Sequence, residues 1–205
     1  MTVKPLIITG EDLFDCIKEV FARGGIIAFP TETFYGLCVD PFNPTAIQAL
    51  FNLKGRPELN PVALIVKDAP MLDTIVSVIP PVARSLMDRF WPGPLTIIFK
   101  AGPGLSMELT AGTGTIGARV SSNVICQRLV ASFSSPITAT SANPSGLRAA
   151  TTAQEVIAYF NGSIDVVIDG KETPGGHGST VVDVTNNRVK IIREGVIPSS
   201  SLFIK

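Results

Sequence analysis

Apolar positions along the chain fall into runs of strand length and into rows at helical spacing, and the order of the two predicts the elements. Leu6-Ile7-Ile8 reads as a short strand. Thr9 with Asp12 gives a capping-box-like start, Leu13, Ile17, Val20 and Phe21 repeat at helical spacing, and Gly24-Gly25 ends that helix. Ile26 to Phe29 is a short apolar run. Asn43 caps a second helix with Pro44 at its first position, Ala46, Ile47 and Leu50 form its inner face, and Gly55 stops it. Val62 to Val66 is continuously apolar, as for a strand buried on both faces.

The second half continues the pattern. Pro80-Pro81 opens a helix with Val82, Leu86 and Phe90 inward, and Trp91-Pro92-Gly93-Pro94 is a rigid turn. Leu95 to Phe99 and Thr115 to Val120 read as strands, Val124 to Phe133 as a helix and Ile137 to Thr140 as a strand. Thr152 with Glu155 makes a capping box for a helix to about Phe160. Val166 to Ile168 and Val181 to Val184 are strands, and Asn186-Asn187 marks a closing hairpin. Early alternation of strands and helices with a terminal hairpin predicts an α/β fold: a single domain over residues 1–205 with a twisted, mixed parallel/antiparallel sheet and flanking helices.

Composition narrows the function. With 17 basic and 17 acidic residues the net charge is zero, so bulk attraction to RNA or to an anionic membrane is not favoured, and an anion site has to be a local cluster of Lys and Arg. Cys16, Cys38 and Cys126 form no CxxC pair, and an odd count fits a reduced interior. A single histidine, His177, argues against a Cys/His metal site. No signal-peptide pattern and no run of membrane-spanning length are present, so the expectation is a cytoplasmic protein without a membrane partner.

Four polar segments follow apolar elements. Pro30-Thr31-Glu32-Thr33-Phe34-Tyr35-Gly36-Leu37 comes directly after a strand, where ligands of open α/β sheets bind, and Thr31, Thr33 and Tyr35 offer hydroxyls; a turn capping its own backbone accounts for the same residues. Lys54-Gly55-Arg56-Pro57, leading to Asn60-Pro61, sets two cations in a stiffened loop suited to phosphate, or equally a basic helix end. Thr140-Ser141-Ala142-Asn143-Pro144-Ser145-Gly146 can present Ser141 and Asn143 on one side, or be an ordinary turn. Gly175-Gly176-His177-Gly178-Ser179-Thr180, with Arg193-Glu194-Gly195 after the hairpin, allows close backbone approach to an anion, or is a mobile surface loop. Gly112 to Gly117 matches GxGxxG literally but runs into a strand, and no Walker A spacing exists, so phosphates would be held by side chains.

Taken together, these segments resemble the YrdC/TsaC family of threonylcarbamoyl-AMP synthases. The matching residues also include Trp91 to Thr96, Ala118-Arg119-Val120, Ser179 to Asp183 and Arg193-Glu194-Gly195, in the family's order. The resemblance implies a large concave, positively charged cavity on the sheet. It implies that L-threonine, bicarbonate and ATP, with Mg2+ carried mainly by the phosphates, give threonylcarbamoyl-adenylate and pyrophosphate. A transferase complex then takes the product to a tRNA adenosine; zero net charge gives direct tRNA binding little support.

Carried onto this chain, Lys54 and Arg56 match the catalytic positions. Lys54, Arg56, Asn60, Asn143 and Arg193 match the ATP contacts, and Thr33, Arg119, Ser141 and Ser179 the threonine contacts; no residue matches a metal ligand. Two departures stand out. Ile65 occupies the place where many members carry a histidine, and Val120-Ser121-Ser122-Asn123 replaces a stretch that often contains proline. Competing readings are a YrdC-like RNA- or nucleotide-binding module without synthase activity and a carbamoyl-transfer domain related to hydrogenase maturation. On the synthase expectation, Arg56→Ala lowers turnover by roughly 10²–10³-fold, the scale for one lost electrostatic contact to a transition state; a variant within threefold of the parent at saturating ATP contradicts that role.

Overall fold

The computed structural model describes residues 6–8, 14–55 and 61–203, and ten strands among them form one mixed sheet. In chain order the elements are β1 (Leu6–Ile8), α1 (Phe14–Ala22), β2 (Ile27–Pro30), β3 (Tyr35–Cys38), α2 (Pro44–Lys54), β4 (Ala63–Ile65), α3 (Ala69–Asp73), α4 (Pro81–Phe90) and β5 (Leu95–Lys100). Then come α5 (Met107–Thr110), β6 (Thr115–Arg119), α6 (Val124–Phe133), β7 (Ile137–Ser141), α7 (Ala153–Phe160), β8 (Val166–Ile168), β9 (Thr180–Asp183), β10 (Lys190–Arg193) and α8 (Ser199–Leu202). The strand order is β1-β8-β2-β3-β7-β4-β6-β5-β9-β10. Pairs β1/β8, β2/β8, β4/β6 and β5/β9 are parallel, and the other neighbours are antiparallel.

Local chemistry sets most boundaries. Asn43 Oδ1 accepts from Ala46 N at 3.1 Å to start α2, and Gly55, at φ +57°, ends it in the left-handed region. Asn123 Oδ1 accepts from Ile125 N and Cys126 N to start α6. The cap expected at Thr9 and Asp12 lies outside the described residues. Three expectations change. Tyr35–Cys38, read as part of a polar segment, is a strand paired on both sides, too short for its alternation to show. Helix α4 buries Ala83, Leu86 and Met87, an i, i+3, i+4 stripe that leaves Val82 and Phe90 at its edges and only half-buried. At α7 the Thr152 hydroxyl accepts from Glu155 N at 3.2 Å, but the Glu155 carboxylate turns chiefly to Thr151, accepting from its N–H at 2.6 Å. The short α3, α5 and α8 span too little chain to give a periodic signal.

Both sheet faces are packed, but unequally. On one, Ile47 and Leu50 of α2, Leu86 of α4 and Val156 of α7 join Leu64, Ile97, Ala118 and Val182 of the sheet. On the other, Ile17 and Phe21 of α1 and Leu129 and Val130 of α6 cover Ile27, Phe29, Ile65, Ile137 and Val166. The Phe21 and Phe133 rings stack at 3.9 Å and tie α1 to α6. This second layer draws on β2, β3, β4, β7 and β8 but not on β5, β6 or β9, so it stops partway across the sheet. Among the described residues no helix is long and apolar enough to cross a membrane.

Leu64 is fully buried in a strand paired on both edges. Leu64→Ala is expected to cost about 2–5 kcal/mol, the range for a buried leucine leaving a cavity. Urea unfolding checks this; a loss below about 1 kcal/mol would mean the site collapses freely.

Candidate functional site

Where the second helix layer ends, a cavity of about 610 Å³ lies across the sheet face. Alternate residues of five adjacent strands line it: Ala63 of β4, Thr96 and Ile98 of β5, Gly117 and Arg119 of β6, Ala139 and Ser141 of β7, and Val181 of β9. Side chains alternate between faces along a strand, so Leu64, Ile97, Ala118 and Val182 between them enter the opposite core. On β4 and β7 one face changes role along its length. Ile65 and Ile137 pack into the cluster with α1 and α6, Ala63 and Ser141 look into the cavity, and Ala139 between them touches both. The floor is made of small residues: a Cβ at Gly117 would stand 3.2 Å from Thr96 Cγ2 and 3.5 Å from Ala63 Cβ. Thr31 and Thr33, just past the carboxyl end of β2, and Arg119 and Ser141, the last residues of β6 and β7, line this space, which extends from the strand ends over the sheet face where helices are missing.

Three loops wall the cavity. In the first, Thr31 Oγ1 donates to Phe34 O at 2.7 Å and accepts from Thr33 N at 3.1 Å, a turn closed on itself that leaves Thr33 at the lining. The Tyr35 hydroxyl is not a ligand group. It accepts from Gly170 N at 3.0 Å and donates to Lys171 O at 2.8 Å, and burial pushes its pKa up. Glu32 pairs with Arg119 at 3.2 Å and accepts from the Ser121 hydroxyl.

The second wall is the glycine loop. Gly175 N donates to Thr33 O at 2.8 Å and Gly178 O accepts from Val196 N at 3.0 Å, so the loop is tied on both sides of its Gly176-His177 tip. His177 is exposed at the cavity rim. Ser179 Oγ lies 2.9 Å from Thr96 Oγ1.

The third wall is β10 with the two residues after it. Pairing shifts from Ile191↔Val182 to Arg193↔Val181, a bulge that gives β10 one extra residue. Neighbours on a regular strand face opposite ways; here Ile192 and Arg193 both reach the cavity. Arg193 donates through Nε and Nη2 to Ser179 O, at 3.2 and 2.8 Å, and through Nη2 to Ser179 Oγ at 3.2 Å. Burial lowers its pKa first, and the nearby Arg119 charge lowers it further. Gly195 then passes so close to the glycine loop that a Cβ would lie 2.2 Å from Gly178 O and 2.6 Å from Ser179 C.

The cavity therefore gathers Thr33, Arg119, Ser141, Ser179 and Arg193. Lys54 and Asn143 stand beside it, outside the lining. The Lys54 ammonium is buried and donates to the Ser141 and Asn143 carbonyls, the latter at 2.7 Å. Asn143 Nδ2 donates to Pro144 O and Leu147 O, which fixes the amide and leaves Oδ1 a buried acceptor without a partner among the described residues. Arg56 and Asn60 lie outside the described residues. Glu32, absent from the site residues that the resemblance implies, is the partner of a cavity arginine; a carboxylate in an otherwise neutral threonine turn is the available signal. Cys126 offers no nucleophile. Burial pushes its thiol up to about 12, only partly offset by a Ser121 hydrogen bond and the Arg119 charge. No cluster of three His, Cys, Asp or Glu side chains among the described residues is placed to hold a metal.

Comparison with known proteins bears on this geometry. Residues 19–195 match the Sua5/YciO/YrdC family model, described as telomere recombination. A threonylcarbamoyl-AMP synthase of Pyrococcus abyssi is 37% identical over 176 residues, 86% of this chain and 52% of that protein. One of Thiobacillus denitrificans is 36% identical over 167 residues, 82% of this chain and 88% of that protein. The crystal structure of P. abyssi Sua5 complexed with L-threonine superposes with a TM-score of 0.91 at 32% identity, covering 98% of this chain and 60% of that one. The chain thus spans about half the length of the first two curated relatives it matches.

Gly195→Ala forces a methyl group against backbone that no rotamer change can clear. It is expected to cost at least about 1–3 kcal/mol, as overpacking does, and to open residues 174–179 to protease. Unfolding midpoints with limited proteolysis test this; an unchanged midpoint and digest would show that the contact is not required.

Proposed function

Because the chain belongs to the Sua5/YciO/YrdC family, we propose that it is a nucleotidyltransferase that condenses L-threonine, bicarbonate and ATP to L-threonylcarbamoyl-adenylate and pyrophosphate, the first step of threonylcarbamoyladenosine formation in tRNA. The observation that carries this reading is one cavity in which two guanidinium groups, Arg119 and Arg193, meet the hydroxyls of Thr33, Ser141 and Ser179. The substrates are a carboxylate and a triphosphate, so two fixed cations beside hydroxyl donors suit both.

In this reading Arg119, Thr33 and Ser141 hold threonine. The guanidinium takes the carboxylate, and the hydroxyls orient the amino acid. The amine nitrogen adds to the carbon of CO2, derived from bicarbonate, and loses a proton to water. The resulting carbamate oxygen attacks the α-phosphorus of ATP as the bond to the β-phosphate oxygen breaks. The nucleophile is already an anion, so no strong base is needed. The chain's work is to bring two anions together and stabilise the leaving charge. Arg193 suits the phosphate side: Nε and Nη2 are held by Ser179, and Nη1 bonds no group among the described residues. Ser179 adjoins both halves through its contact with Arg193.

Lys54 enters through the backbone it holds, since its bonds fix the Ser141–Asn143 segment. Asn143 Oδ1, without a partner among the described residues, suits a donor group of the nucleotide. Arg56 and Asn60 are assigned to ATP by family resemblance. Magnesium belongs here to the nucleotide, held by phosphate oxygens and water. Among the described residues Glu194 is the only carboxylate at the lining, and its Oε1 already accepts from Ser199 N at 2.9 Å. The product is a reactive mixed anhydride, which suits transient hand-off to a threonylcarbamoyl transferase acting on tRNA in the cytoplasm.

Pyrophosphate release from ATP, with threonine and bicarbonate omitted in turn, tests the proposal. Dependence on both is expected. Release that requires carbamoyl phosphate instead would favour the carbamoyl-transfer reading, and no release under any combination would favour a binding module.

A further inference from the structure

Arg119 is 8% exposed and reaches the cavity from the end of β6. Its one partner among the described residues is Glu32, whose Oε1 lies 3.2 Å from Nη1. Glu32 does not line the cavity; its side chain is 11% exposed and sits behind the arginine. The other carboxylate oxygen accepts from the hydroxyl of Ser121, which is itself buried. Ser121 is fixed in turn. Its Oγ accepts from Asn123 N at 3.2 Å, its carbonyl accepts from Gln127 Nε2 at 2.9 Å, and Asn123 caps α6. A row of contacts thus runs from the start of α6 through Ser121 and Glu32 to the guanidinium. Ser121 lies in the Val120 to Asn123 stretch where this chain departs from the family pattern.

We propose that Glu32 is a positioning residue that aims Arg119 at the threonine carboxylate, and that Ser121 holds Glu32 for this purpose. The inference rests on the reading that this cavity takes threonine. Two features give it physical content. Arg119 and Arg193 share one cavity, and each is a like charge to the other. A carboxylate behind Arg119 offsets part of that repulsion and keeps the guanidinium from swinging away. An arginine is also long and rotamer-rich, so a carboxylate that had to order it would bind more weakly; ordering it beforehand removes that cost. Among the described residues Glu32 Oε1 makes no aligned hydrogen bond, so attraction between opposite charges dominates its contact with Arg119. A neutral isostere should therefore lose most of the effect while keeping the shape.

The test compares the parent chain with Glu32→Gln and Ser121→Ala. Threonine affinity is read by calorimetry, and the KM values for threonine and ATP and kcat by pyrophosphate release. Glu32→Gln is expected to raise the threonine Kd and KM at least tenfold, with the ATP KM and kcat within threefold of the parent. Ser121→Ala should move the threonine constants in the same direction by at least threefold. A merely structural role would instead lower kcat through loss of folded enzyme and leave both KM values alone. That pattern, or threonine constants within twofold of the parent in folded Glu32→Gln, overturns the proposal. If Glu32→Gln does not fold by circular dichroism, Ser121→Ala decides, and a threonine shift below threefold overturns it. A parent chain that binds no threonine would sink the reading of the cavity itself, and is visible before any variant is made.

Discussion

Two guanidinium groups share one half-enclosed cavity, and the rest of the site is shaped by keeping both charged and still. Like charges at close range each disfavour the other's ionised form, and burial adds to the penalty. Arg193 carries both effects. Each arginine is braced, Arg119 by Glu32, which does not line the cavity, and Arg193 by the carbonyl and hydroxyl of Ser179, which does. The braces are of different kinds. A carboxylate offsets charge, whereas a carbonyl only orients it, so Arg193 keeps more of its field for an incoming anion.

The fold supplies this arrangement by leaving something out. A ten-stranded sheet with helices across both faces would have no room for substrates. Here α1 and α6 cover one half of a face, and small residues at Ala63, Gly117 and Ala139 floor the rest. A bulge in an edge strand then turns Arg193 inward, and Gly195 lets the adjoining backbone lie against the glycine loop. Backbone contact of that kind makes a stiffer wall than a loop held by side chains alone.

The elements of this fold are legible because caps and apolar periods name them directly; Asn43-Pro44 with Gly55, and Val124 to Phe133, have the boundaries that the sequence pattern predicts. The place of the cavity is not legible in the pattern of apolar and polar positions; the resemblance alone implies a cavity on the sheet. An interior strand face that turns from Ile137 to Ala139 and Ser141 looks like a weak core pattern until the missing helix layer above it is known. Site residues far apart in sequence, such as Thr33, Arg119 and Arg193, come together only through resemblance, since no local rule links strands from opposite ends of the chain. Glu32 escapes notice because a turn can use its own glutamate, and the partner that gives it meaning is 87 residues away on another strand. Lys54 reads in sequence as a phosphate ligand or equally as a basic helix end, and its bonds to two carbonyls of the Ser141–Asn143 segment show only once the fold brings that segment to the end of α2.

The most direct measurement is a crystal structure of the chain with L-threonine and a non-hydrolysable ATP analogue bound together. The account predicts the threonine carboxylate on the Arg119 guanidinium, with phosphate oxygens on the Arg193 side of the same cavity. Threonine ordered away from Arg119, or either ligand bound outside the cavity, would contradict it.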